Sequence, residues 1–447
     1  MKKVITYGTY DLFHQGHYNL LKRAKELGDY LIVGVTSEHF DEARGKINVI
    51  DDVLTRVENV RKTGFADQII IEDHEGQKIE DIQRYNVDIF TLGSDWIGTF
   101  DYLKQFCEVV YLPRTPDISS TGLRESKFKV MRTGIVGTGR IAHRFIDEAK
   151  YVSGIEILSA FNPEVKSIEP FCKKRGILCE TERYDRFLEV IDAVYIASPN
   201  ETHYDYAKKA LQAGKHVLSE KPLTFTKAEA EELYALAKEK DRVLLEAVKA
   251  AYCPGFQQLI NVAQSGRIGE IRDVEANFTR IANPKSRERT DPVYGGGFLE
   301  YGSNVLLPVI KLLGWQYTDI NFQSLWDRDG VDVYNKINIL YPNAMATMRT
   351  GVGVKTEGQL VVSGTKGYIL APSPWWLTKH FEVRYEDEHE IEVYEPTFRG
   401  DGLRYEISEF VMKINGFNKN GYKLTAGESI AMAQITEAYM AFRNKER

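Results

Sequence analysis

Two histidines three residues apart, His14 and His17, stand in the run GTYDLFHQGH, directly after a short apolar segment that ends at Gly8. Where a strand passes through a glycine turn into a helix, the helix N-terminus presents unpaired N–H groups. Two imidazoles at that point can face a phosphate held there. The chemistry this serves is attack on the α-phosphate of a nucleoside triphosphate. Negative charge builds on phosphoryl oxygens as pyrophosphate leaves, and imidazole and backbone donors stabilise it. Gly8 and Gly16 give the backbone close access to the ligand. Taken singly, each histidine is as readily a cap or a core residue. The pair around a glycine, just past a first strand, reads as functional.

A second set begins at residue 130. VMRTGIVGTGRIAHRF reads as strand, glycine turn and helix, with Gly137, Gly139 and Ala142 in the GxGxxA spacing that lets a pyrophosphate approach a helix N-terminus. A second strand ends near Phe161, so Asn162 falls where a dinucleotide's ribose is held. An amide carries no charge to repel a 2′-phosphate and Arg140 can attract one, which favours NADP while leaving NAD open.

These residues need elements to position them. With 447 residues the chain predicts two or three domains. Apolar residues at 43% and charged residues at 27% are enough for large cores without disulfides or metals. The net charge of -6 argues against a nucleic-acid partner. The start MKKVITYG is unlike a signal peptide or membrane anchor, and the four cysteines lack CxxC spacing. A cytoplasmic chain with reduced thiols, no membrane or nucleic-acid partner and no assignable metal site is expected. Strands near 30–36, 68–72, 88–92 and 108–112 alternate with helical stretches, the first at 17–27, and predict a parallel sheet. Strands at 155–161, 192–198 and 216–219 predict a second one. From 251, a helix at 254–265 is followed by strand-like runs without long helices, which predicts a mostly antiparallel sheet. Helical spacing at 425–444 predicts a last helix that packs back on a core. The fold class is therefore α/β: a Rossmann-like parallel sheet over 1–129, a second Rossmann dinucleotide-binding domain over 130–250, and an α+β substrate-binding and oligomerisation domain over 251–447.

On its HxGH run, residues 1 to about 127 resemble the glycerol-3-phosphate cytidylyltransferases. Lys46 in RGK, the run GSDW and the run RTPDISST are further landmarks. The resemblance implies CTP as substrate, with Mg²⁺. It makes His14, His17, Lys46 and Arg114 catalytic, and Thr9, Tyr10, Gly16, Asp95, Thr115, Ser119 and Thr121 nucleotide contacts. Asp95 is read equally as a Mg²⁺ or base contact and as a turn cap. Departures at Gly64 and Asp117 loosen the link to glycerol 3-phosphate as acceptor.

SPNETHYDYAKKALQAGKHVLSEKP resembles the glucose-fructose oxidoreductase / inositol dehydrogenase family, and the match extends over 131–447. The resemblance implies that Lys221, in Glu220-Lys221-Pro222, sits beside the nicotinamide and stabilises a developing alkoxide. Gly137, Gly139, Arg140, Ile141, Asn162, Ser198, Pro199, Asn200, His203 and Glu220 would line the cofactor, His203 as a structural helix-start residue. In YGGGFLEYGSN, Glu300 takes the place of the family's aspartate and is a catalytic candidate, and Asn304 takes that of its proton donor. An amide exchanges no proton at neutral pH, so Glu300, Lys221 or Tyr301 does that work, or the domain binds cofactor without turnover.

Two enzyme units in one chain suggest successive steps on one metabolite. The expectation is reduction of a sugar phosphate such as fructose 6-phosphate to glucitol 6-phosphate, followed by CMP transfer to give a CDP-polyol for surface polysaccharide, in a homo-oligomer. The rival is a cytidylyltransferase with an inactive oxidoreductase-like binding domain.

Overall fold

Strand β1 (Lys3–Gly8) is an unbroken apolar run, and Val4 and Ile5 are buried on opposite faces, as a central strand covered by helices on both sides requires. In the computed structural model, which describes residues 1–13, 15–37, 40, 41, 49, 51–74, 76–98, 100–113, 130–180, 183–416 and 423–446, it opens the first of two compact units, Met1–Val130 and Met131–Arg447. Helix α1 (Gln15–Lys25), β2 (Tyr30–Thr36), α2 (Val53–Lys62), β3 (Gln68–Glu72), α3 (Gln77–Tyr85), β4 (Ile89–Gly93) and β5 (Glu108–Leu112) complete the first unit. Its sheet has the order β3-β2-β1-β4-β5 and is parallel throughout. Helix α1 starts two residues earlier than its apolar spacing suggests, which puts His17 in its first turn.

The second unit repeats this plan. Strand β6 (Met131–Val136), α4 (Arg140–Ala149), β7 (Ile155–Phe161), α5 (Val165–Arg175), β8 (Leu178–Glu180), α6 (Tyr184–Glu189), β9 (Ala193–Ile196), α7 (His203–Gln212), β10 (His216–Glu220), α8 (Lys227–Glu239) and β11 (Leu244–Ala247) build a parallel sheet ordered β11-β10-β9-β6-β7-β8. In both sheets the order reverses beside the first strand, between β1 and β4 and between β6 and β9. Ligands of open α/β sheets bind at that reversal, outside the carboxyl ends of the strands.

After α9 (Pro254–Gln264), β12 (Ile271–Thr279) enters an eight-stranded sheet. Helix α10 (Gly297–Leu313) intervenes before β13 (Asp319–Trp326), β14 (Asp332–Leu340), β15 (Met345–Gly351), β16 (Leu360–Gly364), β17 (Gly367–Ala371), β18 (Phe381–Tyr385) and β19 (Ile391–Tyr394). The order is β13-β14-β15-β12-β16-β17-β18-β19; β12 and β15 run parallel and every other pair antiparallel.

Two expectations need correction. The region contains the 17-residue α10 as well as α11 (Leu403–Ile414), and β18 was not anticipated. Helix α10 is buried on nearly every side, so no polar stripe of period 3.6 betrays it.

The last helix, α12 (Ala426–Glu446), packs against α8 and α10. Its Tyr439 ring stacks on Phe298 of α10 with centroids 3.8 Å apart and donates a hydrogen bond to Asn335 Oδ1 at 3.0 Å. Arg443, fully buried, donates to Gly295 O at 3.1 Å and Pro292 O at 2.5 Å, and lies 3.4 Å from Asp332. Phe298→Ala should lower the unfolding free energy of the second unit by about 3–5 kcal/mol, because the aromatic contact is lost and a cavity remains. A denaturant midpoint unchanged from wild type would contradict the packing described.

Candidate functional sites

In the first unit the turn after β1 is held by a buried network. Arg56, wholly inaccessible on α2, donates to Thr9 O at 2.8 Å and Thr36 O at 2.7 Å, and pairs with Asp41 at 3.1 Å. Thr9 Oγ1 donates to Asp41 at 2.7 Å. Asp51 accepts from Leu12 N and donates its own N–H to Asp11, both at 3.0 Å. This clamp holds Tyr10 and Leu12 at positive φ, 54° and 47°.

His17 is half-buried, 5.5 Å from the rings of both Tyr10 and Phe13. Tyr10 enters differently from its expected part as a nucleotide contact. Its ring is 1% exposed and packs beneath Gly8, so the side chain belongs to the core. Thr9 and Gly16 lie on the turn and on α1, and the Asp95 backbone on the short turn Ser94–Trp96 after β4, across the reversal point. His14, Lys46, Arg114, Thr115, Ser119 and Thr121, and the Asp95 side chain, lie outside the described residues. Sequence reading missed Arg56. An arginine in a helix otherwise reads as solvated, and only the carbonyls it meets in space mark it out. Arg56→Met should cost about 3–5 kcal/mol by removing the buried cation paired with Asp41, measured as loss of first-unit stability together with CTP affinity.

In the second unit a cavity of about 700 Å³ opens at the reversal point. Gly137, at φ 97°, follows β6, and a Cβ there would lie 2.5 Å from Ala197 O, so only glycine fits. Gly139 caps α4, and a Cβ on it would meet nothing within 4 Å. That open space over a helix whose first turn carries no acidic residue suits a dinucleotide's pyrophosphate. Asn162 donates to Thr138 Oγ1 at 2.9 Å and accepts from Glu164 N at 2.9 Å, which fixes its amide beside the turn.

Asn200 donates to Tyr294 O at 3.1 Å while its buried Oδ1 has no hydrogen-bond partner among the described residues, an acceptor on the cavity wall. Ser198 and Thr202 hydroxyls meet at 2.7 Å. His203 is buried, with ring nitrogens 2.8 Å from Pro222 O and 2.9 Å from Ser198 O, so it ties two cavity loops together. Burial holds its imidazole below the ordinary value.

Lys221, Glu300 and Asn304 all line this cavity, as do Arg140, Ile141, Ser198, Pro199, Asn200, His203 and Glu220. The Lys221–Pro222 bond is cis. Lys221 Nζ donates to Glu300 O at 2.6 Å and stands 4.0 Å from its carboxylate. Behind it, Tyr195 donates to Glu220 at 2.6 Å, and burial raises the Glu220 carboxyl. The opposite wall was not anticipated. There the ring of Phe278 lies between Tyr301 at 4.3 Å and Trp376 at 3.6 Å, nearly parallel to both. Phe278 and Trp376 come from separate strands and loops that no spacing links.

Two open α/β sheets, one with a phosphate-binding turn and one with a dinucleotide cradle above a cavity, define a nucleotidyltransferase joined to an NAD(P)-binding oxidoreductase. Comparison with known proteins gives the families. Residues 5–126 match the cytidylyltransferase-like family and residues 131–248 the oxidoreductase family with NAD-binding Rossmann fold, GFO_IDH_MocA. The chain belongs to both, the first through its N-terminal unit and the second through its C-terminal one. A glycerol-3-phosphate cytidylyltransferase of Bacillus spizizenii is 48% identical over 125 residues, 28% of this chain and 96% of that protein. A scyllo-inositol 2-dehydrogenase (NADP(+)) of Bacillus subtilis is 26% identical over 322 residues, 69% of this chain and 95% of that protein. A 3-ketoreductase from Actinomadura kijaniata, solved with NADP and TDP-benzene, shares the fold with a TM-score of 0.61 at 24% identity, covering 69% of this chain and 96% of its own. Among the described residues no helix is long and apolar enough to cross a membrane.

Burial pushes the Glu246 carboxyl, beside the Lys221 loop, from 4.5 up to about 7. A carboxyl raised in the folded state favours folding when protonated. Its contribution is full below pH 4.5 and is lost as pH rises toward 7. Glu246→Gln should therefore flatten the stability–pH curve of the second unit across that window, by about 3 kcal/mol. Parallel curves for variant and wild type would contradict this.

Proposed function

We propose that the chain is bifunctional. Its second unit reduces a sugar phosphate, for example fructose 6-phosphate, to a polyol phosphate such as glucitol 6-phosphate with NAD(P)H. Its first unit transfers CMP from CTP to that product, giving a CDP-polyol and pyrophosphate for surface polysaccharide. The working division is 1–129, 130–250 and 251–447. The observation that carries the reading is the Lys221 ammonium on the wall of a cavity that also opens on the Gly139 cradle.

In the first unit, a phosphate oxygen of the polyol phosphate attacks the α-phosphorus of CTP. The new P–O bond forms as the bond to the bridging oxygen of pyrophosphate breaks. His14 and His17 donate to the phosphoryl oxygens, Lys46 and Arg114 neutralise charge, and Thr9 holds the triphosphate on the clamped turn.

In the second unit, a nicotinamide cofactor held by the turn at Gly137 and Gly139 would supply the hydride for the carbonyl carbon. Gly137 and Gly139 admit its pyrophosphate, and uncharged Asn162 with Arg140 supports NADP over NAD. Lys221 faces the substrate oxygen and stabilises its developing charge, held in place by the Glu300 carbonyl. The proton for the new hydroxyl comes from Lys221, Glu300 or Tyr301. Asn304 favours the second reading, in which this unit binds cofactor without turnover and only the transferase is active.

Mass spectrometry of mixtures of CTP, NADPH and fructose 6-phosphate should reveal a CDP-hexitol. His17→Ala should abolish CMP transfer and spare NADPH oxidation, and Lys221→Ala the reverse, each by about 100-fold or more. Tight NADPH binding without oxidation by any sugar phosphate would sink the bifunctional reading.

A further inference from the structure

Six cations line the cavity of the second unit: Arg140, Arg144, Lys221, Lys249, Arg280 and Arg287. Four are engaged. Arg144 pairs with Asp401 at 2.6 Å, and Lys249 donates to the Asp401 carbonyl at 2.7 Å. Lys221 donates to Glu300 O at 2.6 Å, and Arg287 pairs with Glu201 at 2.7 Å and Asp291 at 3.0 Å. Among the described residues, the guanidinium groups of Arg140 and Arg280 have no such partner.

Arg140 follows Gly139 at the start of α4, at the cofactor's pyrophosphate. Arg280 stands elsewhere. It follows β12 two residues after Phe278, the middle ring of the aromatic wall, and its backbone N–H is anchored to Gly351 O at 2.9 Å. Its charge bears on the Tyr301 hydroxyl, the far ring of the same stack, ahead of that of Arg140, which bears on the same hydroxyl. A cation with a fixed backbone and an uncommitted head, beside aromatic faces, is set up for a ligand that is anionic at one end and carbon-rich in the middle.

We propose that Arg280 binds the phosphate monoester of the sugar substrate, with the Tyr301, Phe278 and Trp376 wall against its carbon chain. Arg280 is then the residue that separates phosphorylated from free sugars. The proposal rests on the sugar-phosphate reading above, and the test separates the two.

Calorimetry with the full chain loaded with NADP compares glucitol 6-phosphate and glucitol. Wild type should bind glucitol 6-phosphate best. Arg280→Gln should weaken that ligand about 10- to 100-fold, leaving glucitol and NADP affinities within about twofold, and Arg280→Lys should recover part of the loss. Arg140→Gln should instead weaken NADP. Equal affinity of Arg280→Gln and wild type for glucitol 6-phosphate, or no binding of that ester, would overturn the assignment. NADPH oxidation with fructose 6-phosphate is read separately. If binding follows Arg280 but no oxidation occurs, the reduction reading falls and the phosphate site stands. If oxidation occurs and Arg280→Gln leaves KM unchanged, the site falls and the reduction stands.

Discussion

Everything this chain offers a ligand depends on one topological constraint, used twice. A parallel sheet that grows outward in both directions from its first strand must leave a gap where the connections part. Right-handed crossovers send the helices after β1 and β4, or after β6 and β9, to opposite faces, so nothing covers the strand ends between them. The gap is lined by backbone N–H groups and the first turns of helices, which is why each unit carries its anion-binding turn there. The two units diverge in how they fix that turn. The first uses charge, with Arg56 and three aspartates around two strained residues. The second uses glycine, with Gly137 pressed against Ala197 O.

Behind Lys221 lies a group of carboxyls that would be costly if ionised. Glu406 is fully buried and Glu220 half-buried; burial raises both carboxyls, Glu220 raises that of Glu406 further, and among the described residues neither oxygen of Glu406 has a hydrogen-bond partner. Burial disfavours the charged form of both. The anion paired with the Lys221 ammonium is the half-exposed Glu300 carboxylate 4.0 Å away.

How much of this was legible in the sequence follows from the range of the interactions. The phosphate turns, the strand alternation and the order Pro199, Asn200, His203, Lys221 are local patterns, and all are readable. So was His203 as a structural residue. Helix α10 was not, because burial on every side erases its periodicity. The aromatic wall was not, because Phe278, Tyr301 and Trp376 meet only once an eight-stranded sheet with one parallel pair brings them together. Tyr10 shows the opposite error: a residue next to a functional turn in sequence, whose side chain serves the core.

The Arg443 clamp adds a condition in time. Gly295 and Gly296 line the cavity, and the Gly295 carbonyl is held by a residue 148 positions further along the chain. During synthesis Arg443 cannot reach that carbonyl until almost the whole of the second unit has emerged, whereas among the described residues the clamp on the first turn draws on residues 9–56. The nascent chain can thus settle the turn after β1 early, while the cavity of its oxidoreductase unit waits on α12.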